Sequence, residues 1–171
     1  MAPPPHKVQR WYLHSGGGAH SRPSDGSLST VAPTMEPIDS FNCGAPIAET
    51  LRYSSPAFMV PLVIAGHVAV ELYAASSSAD IEFAATVVDI GPDLNGTVVA
   101  SATGAVIATE ATHIIIELGE LDHTFAIGHR LRFDVGAANR SGLAAQQVFH
   151  DAVRPSCLVV AASQPLGPSS A

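Results

Sequence analysis

The fold class is decided by residues 61–96, which read PLVIAGHVAVELYAASSSADIEFAATVVDIGPDLNG. The first half alternates between two faces, one with Val68, Val70 and Leu72 and the other with Ala69, Glu71 and Tyr73. The second half alternates in the same way, with Ile81, Phe83, Ala85 and Val87 opposite Glu82, Ala84 and Thr86. A period of two residues is typical of a β-strand with one buried and one solvated face.

The ends of these two strands are marked by small residues and a turn. Ser76–Ser78 and Ala79 are too small and polar to continue the pattern. Asn95-Gly96 is a strong turn signal, because both residue types tolerate a positive φ. The stretch therefore predicts a central hairpin of two long strands, closed by a turn at Asn95-Gly96.

The rest of the chain resembles this stretch. Further strands are predicted at Val8–Leu13, around Leu51 and Tyr53, and at Thr97–Ser101, Thr112–Leu118, Arg130–Val135, Gln146–His150 and Cys157–Ala161. We expect loops or turns at His14–Thr30, Gly119–Asp122 and Gly136–Ala145, an extended segment at Val31–Asn42, and a bend at Gly104. Since no long segment has a helical period, the sequence predicts an all-β, two-sheet sandwich. Its predicted core is Val70, Leu72, Phe83, Val87, Ile116, Leu131 and Phe133.

Composition narrows the classes of function. Of the 171 residues, 47% are hydrophobic and only 13% are charged, and the net charge is −7. The eight Lys and Arg residues form no basic stripe, so we expect no nucleic-acid partner. Without a run of ~20 apolar residues or a visible signal peptide, we expect no membrane span and a cytoplasmic location. Cys43 and Cys157 are expected to be free thiols, although the sequence leaves their pairing open.

Several segments resemble the C-terminal domain of the cocaine esterase and X-Pro dipeptidyl-peptidase family of serine hydrolases. They are RWYLHSGG from Arg10, LRYSSPAFMVPLVIAGHVAVELYAASSSADIEFAATVVDIGPD from Leu51, TFAIGHRLRFDV from Thr124 and VFHDAVRPSCLVV from Val148. The resemblance implies a jelly-roll-like, galactose-binding-like sandwich over residues 8–163, between a Pro-rich tail at 1–7 and a Pro/Ser-rich tail at 164–171. It also implies an α/β-hydrolase domain as partner, in cis or in trans, and ester or dipeptidyl amide hydrolysis by the whole enzyme.

The resemblance places the catalytic residues of the family outside this sequence. Its nucleophile, acid and histidine belong to the preceding hydrolase domain, and no Gly-x-Ser-x-Gly motif is present here. The chain also departs from the family pattern: the connection from Asn95 to Thr112 is short, and the loop after Val135 is reduced to Gly136–Leu143. The sequence therefore predicts no catalytic, cofactor-binding or metal-binding residue and no cofactor.

Four residue groups contain side chains that could contradict that prediction. They are a metal set of His113, His123 and His129; a calcium loop of Asp89, Asp93 and Asn95; a hydrolytic set of Ser76, Ser77, Ser78, His67 and Asp80; and a sugar platform of Trp11, Tyr12, Tyr53 and Tyr73. In each case a structural role is the simpler interpretation.

Three functions remain open at this point. The chain is an accessory domain that packs on a hydrolase domain and shapes its substrate cleft, a stand-alone β-sandwich binding module for a ligand such as carbohydrate, or a self-contained enzyme. The missing nucleophile motif disfavours the enzyme. Because few charges are available to cover so apolar a chain, we also expect the isolated domain to self-associate or to need a partner to stay soluble.

Overall fold

The computed structural model describes residues 6–21, 23–42, 50–77, 81–106, 110–137 and 145–163, and these residues form strands and no helix. The strands are β1 His6–His14, β2 Gly26–Ser29, β3 Asp39–Asn42, β4 Leu51–Ser54, β5 Leu62–Ser76, β6 Ile81–Ile90, β7 Gly96–Val106, β8 Thr112–Phe125, β9 Arg130–Ala137, β10 Ala145–Phe149 and β11 Cys157–Ser163. The predicted all-β class is confirmed. In the described residues no helix is long and apolar enough to cross a membrane.

The strands form one hydrogen-bonded path that folds back on itself. Its order is β3-β10-β5-β11-β1-β2-β4-β9-β6-β7, and β8 pairs with the other edge of β5. The two halves face each other, since Phe41 of β3 contacts Phe83 of β6 with ring centroids 5.5 Å apart. The two predicted sheets are thus layers joined by a parallel β2–β4 pair, while the other ladders are antiparallel.

The predicted central hairpin is wrong. β5 pairs with β8 along one edge and with β10 and β11 along the other, whereas β6 pairs with β7 and β9. The chain therefore crosses from one layer to the other between β5 and β6. The alternation identified the buried face of each strand correctly, but it carries no information about which strand lies at each edge.

The turn before Gly96 lies where the sequence predicts it but has a different geometry. β6 and β7 form a hairpin, because Ile90 pairs with Gly96 across the loop 91–95. The residue with positive φ is Leu94, at 70°, and neither Asn95 nor Gly96 has one. The side chain of Asp93 accepts hydrogen bonds from the backbone N and the Nδ2 of Asn95, at 3.1 and 2.7 Å, and these bonds shape the loop.

Other boundaries also differ from the predictions. The segment Gly119–Asp122 is not a turn, because β8 continues through a β-bulge in which Val68 pairs with Gly119, and Ala69 with Glu117. Gly119 has a φ of 87° at this bulge. β7 likewise continues through Gly104, where a Cβ would meet the side chain of Ile116 at 2.6 Å. The predicted loop and extended segment at 14–42 contain the short strands β2 and β3.

The predicted core is confirmed. All seven residues are at most 1% exposed, and they belong to one buried cluster: Val70, Leu72, Phe83, Val87, Ile116, Leu131 and Phe133. Both layers contribute to the cluster, as a sandwich requires. Most of the predicted loop 136–145, and nearly all of the two predicted tails, lie outside the described residues.

Candidate functional site

The three histidines considered as a metal set do not converge. His113 and His123 lie ten residues apart on β8, which is about 33 Å of strand. His123 Nε2 and His129 Nδ1 bind the two carboxylate oxygens of Asp89, at 2.8 and 2.7 Å. His113 instead stacks on Tyr73 with ring centroids 4.6 Å apart. Within the described residues no cluster of His, Cys, Asp and Glu side chains is arranged to hold a metal ion.

The predicted calcium residues serve two separate local structures. The carboxylate of Asp89 accepts from the two histidines, while that of Asp93 accepts from Asn95 within the β6–β7 loop. These oxygens are therefore occupied by protein donors. The structural interpretation of Asp93 and Asn95 as turn residues agrees with the geometry.

The hydrolytic set is also dispersed. His67 and Ser76 lie nine residues apart on β5, about 30 Å along the strand. His67 is exposed and pairs with Glu117, and Ser76 is buried at 3% exposure. Ser78 and Asp80 lie outside the described residues. Ser76 and His67 are thus much too far apart for proton transfer.

The four aromatic residues form no common platform. Tyr53 is fully buried, and Trp11 packs edge-on against Phe58 with centroids 6.0 Å apart. Tyr12 neighbours Trp11 on β1 and therefore points to the opposite face of the strand. A stacking surface for a sugar ring needs aromatic faces side by side, which this arrangement does not provide.

The structure instead reveals a buried ionic network that sequence reasoning missed. Asp39 is fully buried, and its Oδ2 accepts hydrogen bonds from Tyr53 Oη at 2.7 Å, Ser15 Oγ at 2.7 Å and His150 Nε2 at 2.8 Å. Its Oδ1 accepts from the backbone N of Ala19 at 3.2 Å. Four donors thus replace the water that the carboxylate lost on burial.

A second carboxylate extends this network toward the surface. Glu36 Oε2 lies 2.6 Å from His14 Nδ1, and its Oε1 accepts from the backbone N of Ser15 at 3.0 Å. The Nδ1 of His150 lies 3.2 Å from Glu36 Oε1, although without hydrogen-bond geometry. His150 is therefore held between two carboxylates, those of Asp39 and Glu36.

The network shifts the pKa values of its members in opposite directions. Burial by itself raises the pKa of Asp39, but the hydrogen bonds from His150, Tyr53 and Ser15 outweigh it and hold the pKa below its usual range. Burial lowers the pKa of His150, but the hydrogen bond to Asp39 and the charges of Asp39 and Glu36 outweigh it and raise the pKa. Both shifts favour the charged forms, so the network stabilises an imidazolium–carboxylate pair.

This arrangement contains a serine, a histidine and an acid without being a catalytic triad. Ser15 Oγ is 3.0 Å from His150 Nε2, and His150 Nδ1 faces Glu36. However, the hydroxyl of Ser15 donates to Asp39, and His150 Nε2 donates to the same carboxylate, so this nitrogen has no lone pair to accept the serine proton. His150 is also inaccessible, at 1% exposure. The group therefore has a structural role, holding the β1, β3 and β10 ends together.

The sequence contains only weak evidence for this network. In a chain with 13% charged residues, Asp39 and His150 each lie two positions from a buried apolar residue, Phe41 and Val148 respectively. Gln146, on the same face of β10 as Val148, is a further buried polar residue, so the inward positions there are not uniformly apolar. No spacing links them, since 110 residues separate them in the sequence.

An exposed apolar surface lies beside this network. We define the apolar flank by Val31, Met35, Met59, Val60 and Val153, which are 61–95% exposed. It contains a cleft of about 640 Å³ between the segments 34–37 and 151–154, and a second cleft of about 300 Å³ between Trp11, the segment 28–30 and the segment 56–60. The connection from Leu28 to Pro37 contributes residues to the lining of both clefts.

The charged groups on the apolar flank are already paired. Asp151 Oδ2 and Arg154 Nη2 form an ion pair at 2.8 Å, and Arg154 also lies 4.1 Å above the ring of Phe149. Glu36 is bound by His14 and by the backbone of Ser15. The flank therefore presents apolar side chains without an unmet charge in its described part, which is typical of an interaction surface.

Comparisons with known proteins agree with the fold. The X-Pro dipeptidyl-peptidase C-terminal non-catalytic domain profile matches residues 1–147. Among solved structures, an aminopeptidase from a marine sediment Thaumarchaeota archaeon superposes with a TM-score of 0.80 and 14% identity, over 93% of this chain and 37% of that one. An α-amino acid ester hydrolase gives a TM-score of 0.75 and 16% identity, over 91% of this chain and 36% of that one.

A third structure shows the same relation. A CocE/NonD family hydrolase from Staphylococcus aureus gives a TM-score of 0.75 at 10% identity, over 94% of this chain and 37% of that one. This chain thus spans little more than a third of each of these proteins. No curated protein sequence matches it. Because the profile covers most of the chain, this protein belongs to the family of X-Pro dipeptidyl-peptidase C-terminal non-catalytic domains.

Proposed function

We propose that this domain packs against an α/β-hydrolase domain, in cis or in trans, and helps to form the wall of its substrate cleft. The observation that carries the proposal is the apolar flank, which the fold leaves uncovered beside the buried ionic network. The similar domains of the three solved structures are each part of a chain nearly three times as long, which supports a partner of this kind.

The chemistry of the flank defines the partner surface. Met35, Met59 and Val153 are 95%, 89% and 82% exposed, and fully burying an apolar side chain of this size is worth about 1.5–3 kcal/mol. Because the charges around them are paired within this domain, the partner needs no counter-charge. An apolar face with a polar rim on the hydrolase domain fits this surface.

The test is association with the hydrolase domain encoded in the same or the neighbouring reading frame. The double variant Met35→Asp, Val153→Asp is expected to weaken binding by about tenfold or more, since each change buries an unpaired charge in the interface. Val98→Asp is the matched control, because Val98 is 62% exposed on β7, outside the flank. Equal binding by both variants, measured by biolayer interferometry, would contradict this assignment of the surface.

The domain by itself is expected to hydrolyse neither activated esters nor X-Pro dipeptide amides above background. The reasons are the absence of a nucleophile motif from the sequence and the hydrogen bond from His150 Nε2 to Asp39, which leaves this nitrogen unable to take a proton from Ser15. Labelling of any serine by a fluorophosphonate probe, together with turnover, would show that this expectation is wrong.

The same flank predicts that the isolated domain self-associates. Light scattering over a concentration series measures this directly, and the double variant of the flank provides the comparison. A strictly monomeric wild-type domain at high micromolar concentration would argue against an exposed docking surface. It would favour a stand-alone module. The cytoplasmic location stays a prediction.

A further inference from the structure

The loop that joins β6 to β7 exposes an Asn-Gly pair that neither the ionic network nor the apolar flank uses. Asn95 and Gly96 are both exposed to solvent, as are residues 92–94 before them. Gly96 is the first residue of β7 and pairs with Ile90, the last residue of β6. Because the end of a hairpin opens at a small cost in free energy, the backbone can rearrange here without global unfolding.

Gly96 leaves its own backbone nitrogen open to approach. A Cβ at this position would meet Val88 Cγ1 at 2.9 Å and Ile90 Cδ1 at 3.0 Å, so any larger residue would press on these two side chains. Glycine has no such atom, and it adopts backbone angles that other residues resist. The preceding side chain therefore meets little steric resistance when it approaches the nitrogen of Gly96.

The hydrogen bonds of Asn95 lie at the surface. Its Nδ2 donates to Asp93 Oδ2 at 2.7 Å, and its backbone N donates to Asp93 Oδ1 at 3.1 Å. Water replaces a partner that is lost at the surface, so breaking the side-chain bond costs less free energy than breaking a buried one. The amide of Asn95 is thus free to leave Asp93 and turn toward Gly96.

We propose that Asn95 is a site of spontaneous deamidation, through a succinimide that it forms with the backbone nitrogen of Gly96. This nitrogen attacks Cγ of Asn95: the N–Cγ bond forms, the Cγ–Nδ2 bond breaks, and Nδ2 leaves as ammonia with the proton that Gly96 gives up. A water molecule then opens the ring at one of its two carbonyls, which leaves aspartate or isoaspartate at this position. The sum of the steps exchanges an amide for a carboxylate, and its only co-reactant is water.

The product changes the loop in which it forms. The hydrogen bonds from the backbone and the side chain of Asn95 hold the pKa of Asp93 below its usual range, so Asp93 is a carboxylate near neutral pH. Deamidation replaces the donor Nδ2 with a second carboxylate, and the two like charges repel each other. Isoaspartate also inserts its β-carbon into the main chain, which disturbs the pairing of Ile90 with Gly96. We therefore expect the product to destabilise the end of the β6–β7 hairpin.

The fold blocks the same ring closure at Asp25-Gly26, where a glycine follows an acidic side chain. The carboxylate of Asp25 accepts hydrogen bonds from the backbone N of Gly16 at 3.0 Å and from that of Gly18 at 3.0 and 3.2 Å. Gly26 is packed so tightly that a Cβ would meet the carbonyl oxygen of Arg52 at 2.0 Å. Both partners of the ring closure are fixed there, whereas both are open at Asn95-Gly96.

The test is peptide mapping by mass spectrometry while the full chain is incubated in warm, mildly alkaline buffer. Asn42 and Asn139 are the internal controls, because cysteine and arginine follow them in the sequence. We expect deamidation at Asn95 to be at least about tenfold faster than at either control, which corresponds to a barrier lower by about 1.4 kcal/mol. A methyltransferase specific for isoaspartate distinguishes this product from aspartate.

Two variants separate the contributions of the glycine and of the loop. Gly96→Ala is expected to slow the reaction at Asn95 by about tenfold, because the added Cβ restricts the backbone and shields its nitrogen. Asp25→Asn creates an Asn-Gly pair in the held segment, and we expect position 25 to react at least about tenfold more slowly than Asn95 in the folded chain. In urea the two positions are expected to react at rates within about twofold of each other. The thermal midpoint verifies that each variant is folded.

The proposal is overturned by any of three outcomes. They are deamidation at Asn95 no faster than at Asn42 or Asn139, an undiminished rate in folded Gly96→Ala, and a product without isoaspartate, which would indicate direct hydrolysis of the amide. Equal rates at position 25 and at Asn95 in folded Asp25→Asn would also overturn it, since the open loop would then have no effect.

Discussion

Asp39 and Asp134 lie in the same sandwich with little exposure, yet their surroundings differ. The buried Asp39 receives four hydrogen bonds, and these hold its pKa below the usual range in spite of burial. Asp134 receives two, both from Arg132, and burial outweighs them, so that its pKa is raised. The number and placement of donors, more than burial itself, determine which charge state the fold stabilises.

The source of the donors also differs between the two carboxylates. The bonds to Asp39 come from residues on separate segments, so the carboxylate ties these segments together. The bonds to Asp134 come from Arg132 on the same strand, and Arg52 lies opposite it on β4.

The largest expected effect is that of Asp39→Asn. This change leaves the imidazolium of His150 without its buried counter-charge, and we expect the free energy of unfolding to fall by about 3–5 kcal/mol. Urea denaturation provides the measurement. Phe83→Ala, a fully buried apolar truncation worth about 3–5 kcal/mol, is the reference. A loss below about 1 kcal/mol for Asp39→Asn would show that the network contributes little.

Tyr53→Phe tests one donor of the network. It removes the hydroxyl at 2.7 Å from Asp39 while keeping the buried ring, and we expect a loss of about 1–3 kcal/mol in the same denaturation experiment. Tyr12→Phe, on the half-buried face of β1 outside the network, is the control. Equal losses of unfolding free energy in the two variants would mean that the hydrogen bond from Tyr53 to Asp39 adds no stability beyond that of an ordinary tyrosine hydroxyl.

The pH dependence of stability follows from the directions of the two shifts. The pKa of His150 is raised above its ordinary value of 6.5. Its contribution to the free energy of unfolding is therefore complete below about pH 6.5 and is lost as the pH rises through the folded pKa. The pKa of Asp39 is lowered. Its contribution to the free energy of unfolding is therefore present above about pH 4 and is lost as the pH falls through the folded pKa.

We therefore expect the thermal midpoint to be highest between about pH 4 and pH 6.5, and Asp39→Asn to flatten both limbs of the profile. His150 faces the carboxylates of Asp39 and Glu36, the hydroxyl of Ser15 and the ring of Tyr53. If the thermal midpoint of Asp39→Asn depends on pH as that of the wild type does, the pH dependence belongs to other groups.

The smallest expected effect is that of Asp134→Asn. Burial raises the pKa of Asp134, so that the fold gains little from its charge, and an amide oxygen still accepts from Arg132. We expect the free energy of unfolding to change by at most about 1 kcal/mol, in either direction. A loss comparable to that of Asp39→Asn would remove the distinction between the two sites.

Several features were predictable from the sequence because they depend on local chemistry. The alternation of residues 61–96 identified the buried side chains of two strands, and the same pattern found Ile116, Leu131 and Phe133 in the core. The resemblance of four segments predicted the family that the profile confirms. The turn before Gly96 was located, but its geometry was not, because the side chain of Asp93 shapes it.

The sequence by itself determined that this protein is a β-sandwich and which side chains fill it, since a period of two fixes the faces of a strand. The tertiary structure decided the strand neighbours, because backbone groups at a strand edge pair without regard to sequence pattern. It also brought Ser15 to His150 across 135 positions, and it placed Arg52 of β4 opposite Asp134 of β9. Such encounters depend on register and layer packing, which no local pattern encodes.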